Sequence, residues 1–380
     1  MTFDQMGLSP SLLKILEAQN YTKPYPIQEE VIPAILNKRD VLGIAKTGSG
    51  KTASYVLPIL MNLAESIILK NRHVNTLVLV PTRELAVQVS DVFKLFARAM
   101  PQKINSLGVF GGASINTQMK ALQNVNILVA TPGRLIDLVE VNAVHLSEVD
   151  TLVLDEADKI LNAGFAKEVN RVLDLLPEKR QNLLFSATLN DDISNINQIL
   201  LHDPVVIKID SQEENIDLIA QSAYFVAEEK KGPLLRYLIK RKEMSQVLIF
   251  TSSVARADRV ADKLRKTGID AQSIHRKKKQ GVRTDLLTKF KHNKLQVLVA
   301  TDLLSRGIDI EFLPYVINYE LPRSPKVFVH RIGRTGRAES TGEAISLISP
   351  DEEHHFKVIQ KKIKKRIPRI DCDDLELNRY

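Results

Sequence analysis

One pattern recurs along the chain: a short β-branched or aliphatic run ends abruptly at small and polar residues. Such runs, separated by helix-like segments, predict the buried parallel strands of α/β sheets. In chain order they are VLGIAKTGSGKT, TLVLVPTRE, ILVATPGR, TLVLDEAD and NLLFSATL, then QVLIFTSS, QVLVATDLLSRGID and YVINYELP. Ligands of open α/β sheets bind outside the carboxyl ends of the strands, so the polar residues that end these runs are candidate functional residues.

The runs form two series, separated by the polar stretch DSQEEN at residues 210–215. A chain of 380 residues is long enough for two domains of ordinary size. We therefore predict two tandem α/β domains, each with a mostly parallel sheet flanked by helices, and a cleft between them. The predicted boundaries are 1–209 for the first domain, 210–216 for a linker, 217–367 for the second domain and 368–380 for a short tail.

Charge and composition narrow the function classes. The formal net charge of +8 favours a polyanionic partner, although many soluble proteins are basic without binding one. The single cysteine, Cys372, excludes an internal disulfide and a cysteine-rich metal site. The start, MTFDQMGLSP, has neither a basic nor an apolar leader region, and no apolar run approaches the roughly 18 residues of a membrane span. A cytoplasmic setting is the expectation.

The segment AKTGSGKT (45–52) predicts a phosphate-binding loop between a strand and a helix. It departs from the strict G-x-x-x-x-G-K-[ST] pattern because Ala45 replaces the first glycine. Gly48 and Gly50 would let the backbone wrap a phosphate. Lys51 would reach the β- and γ-phosphates, and the Thr52 hydroxyl would bind Mg²⁺. The alternative is a glycine-rich turn that merely opens a helix.

The segment DEAD (155–158) ends a later apolar run. Asp155 at a strand end would hold Mg²⁺, usually through water, and Glu156 would polarise the attacking water as a general base. Taken alone, the segment is better explained as the acidic first turn of a helix, but together with the phosphate-binding loop it favours a metal site.

The segment HRIGRTGR (330–337) offers two arginines, Arg334 and Arg337, three residues apart and flanked by glycines. Arginines supplied across a cleft stabilise the charge that develops in phosphoryl transfer. The alternative is a basic surface turn.

Together these residues resemble the DEAD-box family of ATP-dependent RNA helicases, over roughly residues 3 to 369. Motifs similar to the family's occur in its order: the Q motif (Phe3, Tyr21 and PYPIQ ending at Gln28), I (AKTGSGKT), Ia (PTRELA), GG (Gly111-Gly112), Ib (TPGR), II (DEAD), III (SAT), IV (LIFTSS), IVa (Gln280 and Arg283), V (TDLLSRGID) and VI (HRIGRTGR). Within the family, MTFDQMGLSP and KKIKKRIPRI most resemble the bacterial RhlE subgroup.

The resemblance implies two tandem RecA-like domains, with ATP and Mg²⁺ as cofactors. Gln28 would read the adenine edge, Tyr21 would stack on the base, and Asp309 would face the ribose. The implied nucleotide contacts are Tyr21, Lys23, Gln28, Ala45, Lys46, Thr47, Gly48, Ser49, Gly50, Lys51, Thr52, Gly307 and Asp309. The implied catalytic residues are Lys51, Asp155, Glu156, His330, Arg334 and Arg337, with Thr52 and Asp155 on the metal.

The resemblance also implies an RNA partner. Residues that would line the RNA track are Pro81, Thr82, Arg83, Gly112, Thr131, Arg134, Ser252, Arg283 and Thr301. Ser186 and Thr188 would couple the nucleotide site to strand separation through Asp158. The chain has no tryptophan and only 5% aromatic residues, which disfavours binding by base stacking. Hydroxyls, backbone N–H groups and arginines instead suit sequence-blind contacts to phosphates and 2′-hydroxyls.

The expected function is an RNA-dependent ATPase, working as a monomer, that unwinds short RNA duplexes or remodels RNA–protein complexes, in ribosome assembly or RNA turnover. ATP and RNA together would close the two lobes, and hydrolysis would reopen them. One alternative is an ATP-controlled RNA clamp or assembly scaffold with incidental turnover. Another is a DNA helicase of the same superfamily, which the DEAD spelling and the Q motif disfavour.

Three departures from the family pattern stand out. Lys46 and Tyr25 replace a frequent Gln and Thr, and the basic run RKKK (276–279) replaces a glycine and an acidic or amide residue after His275. The run follows an expected strand and leads into Gln280 and Arg283, so it either attracts RNA phosphates or is a solvated turn. In the C-terminal segment, Phe356, Ile359 and Ile363 predict a helix packed on the second domain, with its lysines solvated or contacting RNA.

Overall fold

A computed structural model of the chain describes most of its residues. The described ranges are 1–45, 48–64, 71–162, 164–188, 200–209, 219–275, 277–301, 313–336 and 342–372. The chain divides into two compact units, Met1–Ser211 and Gln212–Tyr380. The predicted linker, residues 210–216, lies outside the described residues. Within the described ranges, no helix is long and apolar enough to cross a membrane.

The first unit contains a parallel sheet of seven strands among the described residues. The strands are β1 Val41–Ile44, β2 Thr76–Leu79, β3 Ser106–Val109, β4 Ile127–Ala130, β5 Thr151–Leu154, β6 Gln181–Ser186 and β7 Val205–Lys208. The helices are α1 Pro10–Ala18, α2 Pro26–Leu36, α3 Lys51–Leu63, α4 Arg83–Ala97, α5 Ile115–Ala121, α6 Pro132–Glu140, α7 Ala157–Asn162 and α8 Ala166–Leu173. The strand order is β3-β4-β2-β5-β6-β1-β7.

The second unit also contains a parallel sheet of seven described strands. These are β8 Ala220–Phe225, β9 Val247–Thr251, β10 Ala271–Ile274, β11 Val297–Thr301, β12 Tyr315–Asn318, β13 Glu343–Ile348 and β14 Arg369–Asp371. The helices are α9 Lys231–Arg241, α10 Val254–Arg265, α11 Gln280–Lys291, α12 Pro325–Ile332 and α13 Glu353–Ile363. The order β10-β11-β9-β12-β13-β8-β14 repeats that of the first sheet, strand for strand. The prediction of two similar α/β folds is therefore confirmed.

Both faces of each sheet are buried, which is why the strands read as continuous apolar runs. In the first unit, Val41 packs into one core and its neighbour Leu42 into the core on the opposite face. In the second unit, Ile249 and Phe250 divide in the same way. Helices therefore cover both faces, and the strand ends remain as the place where polar side chains can gather.

The C-terminal segment differs from its predicted boundary. Helix α13 packs on the second unit through Phe356 and Ile359, which are buried, as the spacing predicts. The helix ends with Lys364 in the left-handed region (φ 53°), ahead of Pro368. The chain then enters β14, which pairs with β8, so residues assigned to a tail from 368 onward include a strand of the sheet. A single apolar residue, Ile370, left no run for the sequence analysis to detect.

Candidate functional site

The strand order sorts the predicted site residues of the first unit into two neighbouring groups. Segments following β1, β5 and β6 carry the predicted nucleotide and coupling residues. Segments following β2, β3 and β4 carry the predicted RNA residues Pro81, Gly112 and Thr131. Because the strands are parallel, all these segments leave the same edge of the sheet. One half of that edge therefore gathers the predicted nucleotide residues and the other half the predicted RNA residues.

The described part of the loop after β1 has two glycines in conformations that suit a phosphate-binding loop. Gly48 and Gly50 have φ values of 78° and 86°, a region that side chains rarely adopt. A Cβ atom on Gly50 would lie 2.6 Å from Nε2 of Gln28, so glycine is required there for space as well. At the start of the loop, the Ala45 N–H donates to the Ser186 carbonyl on β6 at 3.0 Å. Lys46 and Thr47 lie outside the described residues.

Gln28 ties the Q motif to this loop. Its side chain is fully buried, with Oε1 accepting from the Tyr25 N–H at 2.9 Å and Nε2 donating to the Gly50 carbonyl at 3.1 Å. A primary amide has a second N–H and a second lone pair, so the adenine contact predicted for Gln28 remains chemically open. Tyr21 packs edge-on against Phe96, with ring centroids 5.8 Å apart. Lys23 is exposed.

Lys51 and Thr52 begin α3 directly after the loop. Lys51 is buried, and its Nζ donates to the Ala45 carbonyl at the loop's start. Burial lowers the pKa of Lys51, while the nearby charges of Asp155 and Glu156 oppose that shift. Thr52 is half-buried in the first turn of the same helix, and Ser49 is half-buried in the loop.

Asp155 is fixed by a residue that the sequence analysis did not single out. The buried Tyr55 hydroxyl on α3 donates to Oδ2 of Asp155 at 2.8 Å. Burial and the neighbouring charge of Glu156 raise the pKa of Asp155, whereas Lys51 and the Tyr55 hydrogen bond lower it. Tyr55 lies one helical turn after Lys51, so both residues share a face of α3. This spacing was the only sign in the sequence that Tyr55 lies near the nucleotide site.

Glu156 sits in the left-handed region, with φ of 54°. This conformation is costly for a side-chain residue and is often kept at functional sites. Its Oε1 pairs with Nζ of Lys159 at 2.5 Å, and both side chains are largely buried. Lys159 was also missed, although its position three residues after Glu156 on a helical turn predicts such a contact.

The acidic cluster offers free oxygens for a cation. Among the described residues, Oδ1 of Asp155 and Oε2 of Glu156 are buried without a hydrogen-bond partner. Within the same ranges, no group of three or more His, Cys, Asp or Glu side chains could hold a metal by itself. Mg²⁺ is commonly bound by one or two carboxylates together with substrate phosphates and water. The donor set therefore fits Mg²⁺ bound together with a nucleotide.

A hydrogen bond links the DEAD segment to the SAT segment. Oγ1 of Thr188 donates to Oδ2 of Asp158 at 3.4 Å. The Ser186 hydroxyl donates to the Thr188 carbonyl at 2.7 Å and accepts from the Thr188 N–H at 3.2 Å. The three predicted coupling residues thus lie together, while their coupling role remains a prediction.

The predicted RNA residues of the first unit are also brought together. Thr82 caps α4 by accepting from the Leu85 N–H at 3.3 Å. The Arg83 guanidinium lies against Gly112, where a Cβ would be 2.3 Å from its NH1. Buried Arg134 donates to the Ala113 carbonyl at 3.0 Å and pairs with Asp137 at 3.2 Å. Thr131 begins α6 as its N-cap residue. These contacts join the ends of β2, β3 and β4 into one surface.

In the second unit the predicted RNA residues lie on the corresponding half of the sheet. Ser252 follows β9, Thr301 ends β11, and Arg283 lies on α11 after β10. Arg283 and Thr301 are buried, and Ser252 is exposed. Because β10, β11 and β9 occupy the positions of β3, β4 and β2, the same half of each sheet carries the RNA prediction.

One arginine of the HRIGRTGR segment makes buried hydrogen bonds within the second unit. His330 is half-buried on α12, and Arg334 is buried just after it. Arg331, which the sequence analysis did not assign, is fully buried and donates to Oδ1 of Asn318 at 3.0 Å and to the Glu320 carbonyl at 2.7 Å. Its guanidinium also lies 5.1 Å from the Phe250 ring centre. Gly307, Asp309 and Arg337 lie outside the described residues.

A phosphate-binding loop, a buried strand-end carboxylate and a parallel sheet define a nucleoside triphosphatase of the P-loop class. Comparison with known proteins narrows the class. The DEAD/DEAH box helicase family model matches residues 25–196, and the helicase conserved C-terminal domain model matches residues 229–339.

Relatives match along nearly the whole chain. The DEAD-box ATP-dependent RNA helicase CshA of Geobacillus kaustophilus is 37% identical over 97% of this chain and 78% of its own length. The ATP-dependent RNA helicase CshA of Listeria monocytogenes is 38% identical over 96% of this chain and 69% of its own length. A solved structure of Saccharomyces cerevisiae Dbp5 bound to RNA and ADP BeF₃ is 29% identical, has a TM-score of 0.82, and covers 98% of this chain and 96% of its own. The chain belongs to the DEAD-box family of ATP-dependent RNA helicases, and its two sheets are the family's tandem RecA-like domains.

Proposed function

We propose that this chain uses ATP binding and hydrolysis, with Mg²⁺, to separate short RNA duplexes or to remodel RNA–protein complexes. The observation that carries this proposal is the division of the strand ends in the first unit. Predicted nucleotide residues and predicted RNA residues occupy adjacent halves of one sheet edge. A change at the nucleotide half can therefore reach the RNA half through neighbouring strand ends.

The described side chains support a division of labour in hydrolysis. Lys51, Thr52 and Asp155 would hold the triphosphate and the cation. Oε2 of Glu156, the carboxylate oxygen without a described partner, would accept the proton of the attacking water. Mg²⁺, when bound, neutralises charge on the transferring phosphate. The predicted roles of His330 and Arg334 in phosphoryl transfer are part of this proposal.

The Asp158–Thr188 hydrogen bond supports the proposed coupling. It connects the segment that carries Asp155 and Glu156 with the segment after β6. A shift of the DEAD segment during hydrolysis would move Thr188 through this hydrogen bond. The SAT segment would then transmit the movement to the RNA half of the sheet edge.

Finer assignments are proposals as well. The stretches MTFDQMGLSP and KKIKKRIPRI support an RhlE-like subgroup, and with it a role in ribosome assembly or RNA turnover in the cytoplasm. Binding would be sequence-blind, because hydroxyls, backbone N–H groups and arginines make up the predicted track.

The test is ATP hydrolysis measured with no nucleic acid, with single-stranded RNA and with DNA of the same sequence. RNA should stimulate hydrolysis well above the basal rate, and DNA should not. Stronger stimulation by DNA would overturn the assignment of RNA as the substrate.

A further inference from the structure

The turn between β9 and α10 binds a carboxylate of its own chain. The Ser252 backbone N–H and the Ser252 hydroxyl both donate to Oε2 of Glu320, each at 2.8 Å. Arg256, in the first turn of α10, donates through Nε to Oε1 of Glu320 at 3.1 Å. Three donors of different kinds therefore converge on one anionic group. We refer to Ser252 and Arg256 together as the β9–α10 anion cradle.

The strand register explains why Glu320 reaches this turn. On neighbouring strands β12 and β9, Asn318 is level with Phe250. Glu320 and Ser252 each lie two residues further on, at the same sheet edge. In the first unit, Leu154 of β5 is level with Leu79 of β2, and the residue two further on from Leu154 is Glu156. Glu320 thus occupies, in the second sheet, the place of the predicted general base.

The cradle has the chemistry of a phosphate site. A backbone N–H, a serine hydroxyl and an arginine are the donors that proteins use for nucleic-acid phosphates. Ser252 is exposed, whereas the Glu320 side chain is only 15% exposed. A phosphate arriving from solvent would meet the donors of Ser252 with the carboxylate already bound to them.

The position matches the predicted RNA surface of this unit. β9 lies beside β11, whose last residue is Thr301, and β10 beyond it leads to Arg283. The family resemblance already implies that Ser252 lines the RNA track. We propose that Arg256 joins Ser252 in binding a phosphate of the RNA backbone, and that Glu320 occupies this site when RNA is not bound. Arg256 is then an RNA-binding residue, and Glu320 is an internal competitor that weakens RNA binding. This inference rests on the proposed RNA-dependent function.

The charge of Glu320 can be removed without breaking the other contacts that hold its neighbours in place. Arg256 has a second partner, because its NH2 pairs with Oε1 of Glu228 at 2.7 Å. The structural bond that Arg331 makes at Glu320 uses the backbone carbonyl, which a substitution retains. Glu320→Gln preserves the shape of the side chain, so Ser252 and Arg256 should stay in place while the competing charge disappears.

The test is the affinity for a fluorescent single-stranded RNA without nucleotide, measured by anisotropy over a series of salt concentrations. Partly exposed ion pairs are weak, so removing this competitor should tighten RNA binding by about fivefold. In wild type, the Glu320 carboxylate that RNA displaces takes up a cation, which offsets the counterion release caused by the Arg256 contact. Glu320→Gln removes this offset, so the salt slope should steepen by about 0.7 units. Glu229→Gln is the matched control, since it removes an exposed acidic charge from the 3-10 turn that also carries Glu228. It should leave the slope unchanged.

Two further variants assign the gain to the cradle. In Glu320→Gln combined with Arg256→Gln, the gain in affinity should be lost. Glu320→Asp keeps the charge but shortens the side chain, so it should show part of the gain in RNA affinity. This variant also tests the competition between Glu320 and RNA if Glu320→Gln folds poorly. If wild type binds RNA but the Glu320→Gln and Glu229→Gln variants bind equally, this inference is overturned and the proposed function stands. If neither wild type nor Glu320→Gln binds RNA, both are overturned.

Discussion

The hydroxyl of Tyr55 donates a hydrogen bond to Asp155, and its removal should lower both the stability of the protein and its affinity for Mg²⁺. Tyr55 is fully buried and Asp155 is 2% exposed, with the bond at 2.8 Å. Tyr55→Phe leaves a buried carboxylate without this donor, and its other oxygen has no partner among the described residues. Hydrogen bonds to charged groups contribute about 1.5–3 kcal/mol, so the free energy of unfolding should fall by about 2 kcal/mol.

The same change should weaken the cation site. The Tyr55 bond lowers the pKa of Asp155, against burial and Glu156, which raise it. Without the bond, that pKa rises further and a proton competes better with Mg²⁺. Loss of a residue that orients a metal ligand typically costs about 10- to 100-fold in metal affinity. We therefore expect the Mg²⁺ concentration for half-maximal ATP hydrolysis to rise at least about tenfold.

The assays are denaturant unfolding without nucleotide and a Mg²⁺ titration of ATP hydrolysis. Tyr315→Phe is the matched control, because it removes a hydroxyl from β12 in the second unit. It should leave the Mg²⁺ requirement unchanged. If Tyr55→Phe has wild-type stability and a wild-type Mg²⁺ requirement, the Tyr55 bond does not hold Asp155 for metal binding, and this reasoning is refuted.

Three other predictions concern the phosphate loop, a buried ion pair and the basic run. Gly50→Ala places a Cβ 2.6 Å from Nε2 of Gln28 at a φ of 86°, so ATP binding should weaken at least about tenfold. Gly232→Ala is the control and should bind ATP normally, because the atom nearest to its new Cβ would be the Tyr319 hydroxyl, 4.0 Å away. In the second unit, Glu352 pairs at 2.5 Å with fully buried Lys231; burial acts to raise the pKa of Glu352, but the attraction of Lys231 outweighs it and holds that pKa below its ordinary value. The ion pair stabilises the fold at pH values above the ordinary pKa of a glutamate, and this stabilisation is lost as the pH falls through the pKa of Glu352 in the folded protein. Glu352→Gln should therefore lower the free energy of unfolding by about 3 kcal/mol at neutral pH and by much less in acid. Equal losses at both pH values would contradict the assignment. Arg276→Gly with Lys277→Asp should weaken RNA binding and flatten its salt slope by up to about two units, and an unchanged slope would mean a solvated turn.

The sequence revealed the central strands better than the edges, for a physical reason. β1, β2, β4 and β5 are buried on both faces, so each reads as an apolar run. The strands at the sheet edges are β3, β7, β10 and β14. Their residues alternate or are partly exposed. β13 is buried, but Glu343 and Ser346 interrupt its apolar pattern.

The candidate site shows a similar division. Motifs revealed which residues carry the chemistry, because phosphate loops and acidic strand ends need particular residue types at short spacing. Contacts between distant segments were not readable. Tyr55 and Asp155 are 100 residues apart, and Ser252 and Glu320 are 68 apart. Such pairs depend on strand order and register, which a single sequence does not encode in any local pattern.

The most direct test of the account is strand separation of a short RNA duplex, followed on native gels with excess ATP and Mg²⁺. With duplex in large excess over enzyme, wild type should release strands over many turnovers, while Glu156→Gln should bind ATP and RNA but release at most about one strand per enzyme molecule. Lys167→Gln, on α8 outside the motifs, should behave as wild type. Equal strand release by Glu156→Gln and wild type would contradict the claim that hydrolysis at the DEAD segment drives RNA remodelling.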